Sequence, residues 1–333
     1  MSVTVQAELS SIPEVKAAIA AGETLFLAGS RAALSQLPRG NWVGGTICYF
    51  MTEEGCLQAE DRIFVTKVPE FALEIKALDY GADNLAQLHR DAPDNGFTFV
   101  VLPAASEVLK TFAEQAANFD GFLLHPIVGW VSGVRVDRIG LDMPAVFNGK
   151  SGAVLEDRCV ALHVSLPIGK MAELEIVNIF ESGGGDVIRF EKSGFQVSQC
   201  LVNGKPANLA AYITGKGIPT EFPLVGDYNG SSINVSFLTV DAAKGTVELY
   251  APVFAGVDYH FAKPVDDYSG AFAKAVTAEE PEPAFACNCI LNYLYGKLEG
   301  KKAGHLTGPI TFGEISHQLL NQTLVRMQIL DLG

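Results

Sequence analysis

The chain has 333 residues, 48% hydrophobic and 19% charged, a balance that excludes disorder and supplies ample material for large cores. Lys plus Arg number 24 against 38 Asp plus Glu, a net charge of −14 that repels phosphate backbones. With no basic run interleaved with aromatics, this argues against nucleic acid as a partner.

The opening residues, Met1 to Glu8, lack a positive region followed by an apolar core, so no secretory signal is expected. Ser11 with Glu14 three residues on forms a capping box for a first helix, which Gly22 ends. Glu23 to Ala28 reads as a buried strand, and Ser30 as the cap of a helix over 31–37. After the break at Pro38-Arg39-Gly40 comes the small-residue segment Trp42-Val43-Gly44-Gly45-Thr46. Ile63 to Val68 and Phe97 to Leu102 are strand-like. Ser106 caps an amphipathic helix with Val108, Leu109, Phe112 and Ala116 on one face.

Beyond Val154 the pattern turns β-rich. Cys159 to Leu166 and Ala172 to Phe180 are strand candidates, and Ser182 to Asp186 is a turn leading to Val187–Glu191. Asn203-Gly204 is a tight-turn pair. Ile233, Val235 and Phe237 alternate with polar neighbours, as do Val247, Leu249 and Ala251, which predicts a half-buried hairpin. Two late helices, near 269–276 and 289–298, flank the acidic proline-containing linker 279–283. The mixture predicts an α/β (mixed α+β) class, two sheet-containing domains with helices packed on β-rich sheets, and no repeat period.

The longest apolar stretches, Phe97 to Ala105 and Gly121 to Val134, are too short to span a bilayer, so no membrane role is expected. Six scattered cysteines read as reduced thiols in the cytoplasm. Gly183-Gly184-Gly185 lacks the Gly-Lys-Ser/Thr of a phosphate loop and reads as a turn. No histidine lies in a His-x-x-x-His or Cys-x-x-Cys pattern, so no metal is expected, although a single axial histidine suffices for a haem. Cys287-Asn288-Cys289 precedes a helix, and a thiolate at a helix N-terminus is stabilised there. Cys287 is therefore either a nucleophile, with His305 or His317 as base, a ligand contact, or a small buried residue. Gly308 to Ile315 places Gly313 and Glu314 together, suited to a ligand amine, or to capping a following helix. Asn321-Gln322-Thr323 reads as hydrogen-bonding rather than as a glycosylation site.

In this order the segments resemble FIST (F-box and intracellular signal-transduction) proteins over most of the chain. Trp42–Thr46 stands at the small-residue segment, Asn203 to Ala207 at the hinge between two parts, Phe285-Ala286-Cys287 at the cysteine element, and Thr311–Ile315 at the Gly-Glu-Ile element. Asn321–Thr323 stands at the closing Asn-x-Thr. The sequence departs from the family pattern at Gly45, Thr46, Tyr49, Phe50, Asn288 and Cys289. The resemblance implies an N-terminal part over 1–205, a C-terminal part over 206–333, and a small-molecule sensor passing its ligand state to a signalling partner. Glu314 would meet a cationic ligand group and main-chain amides at Gly44, Gly45 and Thr46 a carboxylate. Tyr49, Cys287, Asn288, Gly313 and Asn321 would line the site. The alternatives are a Cys287-dependent acyl-transfer or hydrolytic enzyme, a haem-based gas sensor, and a scaffold without ligand.

Overall fold

The computed structural model describes residues 5–228, 231–276 and 282–333; the expected acidic linker falls partly outside these residues. Local signals act where they stand in the sequence. The backbone N–H of Ser11 donates to the Glu14 carboxylate (2.8 Å) and opens the helix Ile12–Ala20, and Gly22 turns away from it at φ +83°. Ser30 accepts from the Ala33 N–H at the start of Arg31–Leu34, and Ser106 from Leu109 at the start of Glu107–Gln115. The latter helix buries Val108, Leu109 and Phe112, the apolar stripe its spacing predicts.

The class is mixed α+β, and its plan is one sheet pattern used three times. A first unit begins with strand Ala7–Ser11 and closes with Arg62–Lys67; between them run Leu25–Gly29 and Trp42–Thr46. A second unit repeats this with Ile75–Tyr80, Gly96–Pro103, Ile127–Ser132 and Cys159–Ser165. A third uses Lys170–Val177, Phe285–Cys289, Gly308–Thr311 and Leu324–Asp331. In every unit the closing strand lies antiparallel between the first and second strands, and the second and third run parallel.

Each unit also sends out one hairpin to complete another unit's sheet. Tyr49–Thr52 and Gly55–Gln58 leave the first unit and pair with Gly308–Thr311 of the third. Val146–Asn148 and Ala153–Leu155 leave the second and pair with Trp42–Thr46 of the first. Glu314–Ser316 and Gln318–Leu320 leave the third and pair with Ile127–Ser132 of the second. The exchange is cyclic, giving three sheets of six strands.

Two sets of residues fix this pseudo-threefold arrangement. A Cβ added at Gly44, Gly129 or Gly308 would fall 2.4, 1.8 or 2.0 Å from the carbonyl oxygen of Leu27, Val100 or Ala286, so the parallel pairs close only over glycine. The residues preceding those carbonyls are Phe26, Phe99 and Phe285. Their rings meet around the axis at centroid distances of 4.2, 5.2 and 5.6 Å, with Trp130 stacked beside them. The repetition is one of topology, with no sequence period behind it. The units share topology and these matched positions, while the residues around them differ.

A lobe between Lys170–Val177 and the helix Tyr268–Ala275 carries a six-stranded and a three-stranded sheet with their own core, including Ile188, Leu209, Val247 and Tyr259. The expected hairpin is found there as Phe237–Asp241 with Thr246–Val253, while Ser231–Val235 joins the neighbouring sheet. The division at residue 205 needs correction. It falls within the hairpin Gln199–Val202/Lys205–Asn208, and strands from both sides of it share sheets. Asn203-Gly204 is the tight turn of that hairpin, not a link between domains. Among the described residues no helix is long and apolar enough to cross a membrane.

Candidate functional site

A cleft of about 730 Å³ opens at the carboxyl ends of Leu25–Gly29 and Trp42–Thr46, where the first unit meets the end of Ile127–Ser132 from the second. Crevices outside the carboxyl ends of parallel strands are where chains turn into loops and expose backbone and side chains to a ligand. Buried Thr46, Ile47 and Cys48 form the floor, and Gly133 and Val134 continue it. The seam is tight: Gly133 N–H donates to Thr46 O (2.7 Å), and Ala145 N–H donates to Thr46 Oγ1 (3.0 Å).

The first and second units contribute one arginine each. Arg31 stands on the first turn after Ser30, pairs with Glu156 and donates to Met143 O (3.1 Å). Arg135 is held by Asp137 (2.7 Å) with Glu60 at 3.6 Å. Both arginine side chains are about two-fifths exposed, at 44% and 37%. Exchanging such exposed partners for a ligand group costs little, because a surface pair contributes only about 0–1 kcal/mol. Asp142 and Glu156 complete the charged rim. Burial pushes the Cys48 thiol at the floor up to about 12, with Glu60 adding to the effect, so it is a neutral thiol at neutral pH.

Fold equivalence explains why this crevice is open. Cys48, Gly133 and Phe312 occupy matched places, four residues beyond Gly44, Gly129 and Gly308. In the second unit the Phe312 ring lies where any Cβ on Gly133 would fall, 2.3 Å from its nearest ring atom. In the first, the residue at the place of Phe312 is Gly133, which has no side chain, and it lines the cleft together with Cys48.

Of the expected ligand residues, Thr46 lines this cleft, while Tyr49 lies behind it and accepts from Val136 N–H (3.0 Å). Gly44 and Gly45 do not offer amides to a ligand, and that expectation is corrected. Their strand has a ladder neighbour on either side, and the Thr46 amide donates to Ala145 O (2.9 Å). Gly45 instead admits Val101, Ser132 and Trp130 closely.

Cys287, Asn288, Gly313, Glu314 and Asn321 do come together, within the third unit and its seams, but as solvent-free structure. Asn288 Oδ1 accepts from Asn292 Nδ2 and from Cys289 N–H, both at 2.8 Å. Asn292 bonds Tyr268 (2.6 Å) and Thr323 O (3.0 Å). Asn321 accepts from Ser236 N–H (2.8 Å), and Gln322, at φ +52°, bonds Ser236, Glu221 and Tyr268. This polar seam docks the lobe. Glu314 lies in a strand rather than at a helix start, fully buried. One carboxyl oxygen accepts from Thr323 Oγ1 (2.8 Å) and N–H (3.2 Å), and the Cys289 thiol also bonds the carboxyl group. Burial pushes its carboxyl up to about 8, with Thr323 and the Cys289 thiol opposing the shift.

The helix-start position expected for Cys287 is also corrected. It sits inside strand Phe285–Cys289, its thiol donating to Gly129 O (3.4 Å), and burial and Glu314 raise its pKa well above the ordinary value. That is the opposite of an activated thiolate. Among the described residues, no group of His, Cys, Asp or Glu stands in a metal-holding arrangement. His163 is committed to Tyr80 OH and Thr98 Oγ1, both at 2.8 Å.

The model of a family of unknown function, DUF6976, matches residues 10–330. The chain belongs to this family. The DUF6976 match runs through all three units and the lobe, so the hairpin exchange and the cleft lie inside the family's extent. No curated protein matches the chain. Neither result bears on the FIST resemblance, which rests on its short motifs. In this DUF6976 member, sequence reasoning missed Arg31, Glu60, Arg135, Leu141 and Met143 as cleft residues. The available signal was positional: Arg31 follows a buried strand and its cap at once, and Arg135-Val136-Asp137-Arg138 follows the apolar run ending at Val134.

Proposed function

We propose that this chain is a small-molecule-binding protein of sensory type, and that the cleft between the first two units holds an amino-acid-like ligand. The single observation carrying this is a cavity at the carboxyl ends of parallel strands with one partly exposed arginine from each unit. The arginines suit a carboxylate, since a guanidinium fork matches its two oxygens. Glu60, Asp142 and Glu156 suit an ammonium group. The net charge of −14 repels a net anion and leaves a zwitterion unopposed. The FIST resemblance supports a sensory use, with the bound state passed to a partner protein. All six cysteines are buried free thiols, which agrees with a cytoplasmic location.

Thermal unfolding against a panel of the free amino acids tests this. The expected result is a raised Tm for some members, removed by Arg31→Gln and by Arg135→Gln. A shift that survives both substitutions would place the ligand elsewhere.

A further inference from the structure

Three large apolar side chains stand in the open within one short stretch beside the cleft: Ile139 (58% exposed), Leu141 (69%) and Met143 (58%). Single exposed apolar residues are ordinary, whereas a contiguous group at the rim of a cavity marks a surface that something covers. Leu141 and Met143 themselves line the cleft, and Ile47 and Val134 carry the apolar surface inward.

The stretch is braced in this position. Arg138 bridges to Asp142 (2.7 Å), Val136 N–H donates to Tyr49 OH (3.0 Å), and Met143 O accepts from Arg31 (3.1 Å). The same Arg31 therefore joins the charged end of the cleft to its apolar lip. A ligand engaging the guanidinium brings whatever it carries beyond its carboxylate alongside Met143 and Leu141.

We infer, on the footing that the cleft is the ligand site, that its ligand is an amino acid with a long apolar side chain. The carboxylate lies at Arg31 and Arg135, and the side chain runs along Ile47, Leu141 and Met143. The volume of about 730 Å³ accommodates such a chain and far exceeds what glycine or alanine fills.

Calorimetric titration with a homologous series tests the inference: glycine, alanine, norvaline, norleucine and 2-aminooctanoate. On the wild-type chain affinity rises about threefold for each added methylene, as partial burial of a CH₂ group gives. In the double variant Leu141→Ser, Met143→Ser, both changes at exposed positions, this rise flattens while the short members bind as before. In Arg135→Gln every member weakens by a common factor. Equal affinity along the series, or an undiminished rise in the double variant, overturns the apolar assignment and leaves the cleft as the amino-acid site. Absence of binding by every member removes the cleft reading and the inference together.

Discussion

Replacing Glu314 by glutamine isolates the cost of holding a carboxyl group in the core. Its pKa stands at about 8 in the folded chain against 4.5 for the ordinary group, with burial the largest cause. An acid raised in the folded state gives full stability below its unfolded pKa and loses it as pH rises through the folded value. At about 1.4 kcal/mol per pH unit, ionisation of the unfolded chain costs the fold on the order of 3 kcal/mol by pH 7. Glutamine keeps the size of the side chain, and its amide oxygen still accepts from Thr323 N–H and Oγ1. Any cost of burying its amide nitrogen there is the same at every pH, because the amide does not titrate. The informative quantity is therefore the difference in unfolding free energy between Glu314→Gln and wild type, from urea titrations at pH 5, 6, 7 and 8. It should move in favour of the variant by about 3–4 kcal/mol over that range and level off above pH 8. A difference that stays flat would refute the burial of a protonated Glu314.

Phe99→Ala removes the ring that touches both Phe26 and Phe285 on the axis, and should cost about 3–5 kcal/mol in denaturant unfolding. Gly129→Ala puts a Cβ 1.8 Å from Val100 O, a backbone atom, and should abolish the folded state as judged by near-ultraviolet circular dichroism. All six cysteines are buried, so a thiol reagent at pH 7 should label the native chain slowly and six thiols at once in urea. Fast native labelling of Cys287 would revive a nucleophilic role. Gln322→Ala leaves the left-handed backbone occupied without its bonds to Ser236, Glu221 and Tyr268. It should lower stability by about 2 kcal/mol and speed proteolysis between the lobe and the units.

What was legible in the sequence was local. Ser11, Ser30 and Ser106 cap helices by contacts within three residues, and the Asn203-Gly204 turn needs only its own backbone angles. The threefold plan was not legible because what repeats is the close approach at Gly44, Gly129 and Gly308, and the residues that follow them are dissimilar: Gly45, Trp130 and Pro309. Exchanged hairpins also place partners far from their own unit, so no unit's own stretch of sequence contains the whole of its six-stranded sheet. Glu314 and Asn321 stood out as unusual polar residues, and they are, but their setting is a sealed core and a lobe seam. Local pattern cannot distinguish a buried polar network from a binding site, because both recruit the same residue types.

The cyclic exchange also orders events on the ribosome. When synthesis has passed residue 165, the first sheet can close, because its borrowed hairpin at 146–155 has been made. The hairpin at 49–58 then has no sheet to join, and the edge strand Ile127–Ser132 has no partner on one side. Both wait through the whole lobe for residues 308–320, exposing strand edges that pair readily with other chains. The lobe, with its own core, can fold during that interval, so the nascent chain is a closed sheet and a closed lobe joined by two waiting edges. The final strand, Leu324–Asp331, then seats between Lys170–Val177 and Phe285–Cys289 and completes the third unit.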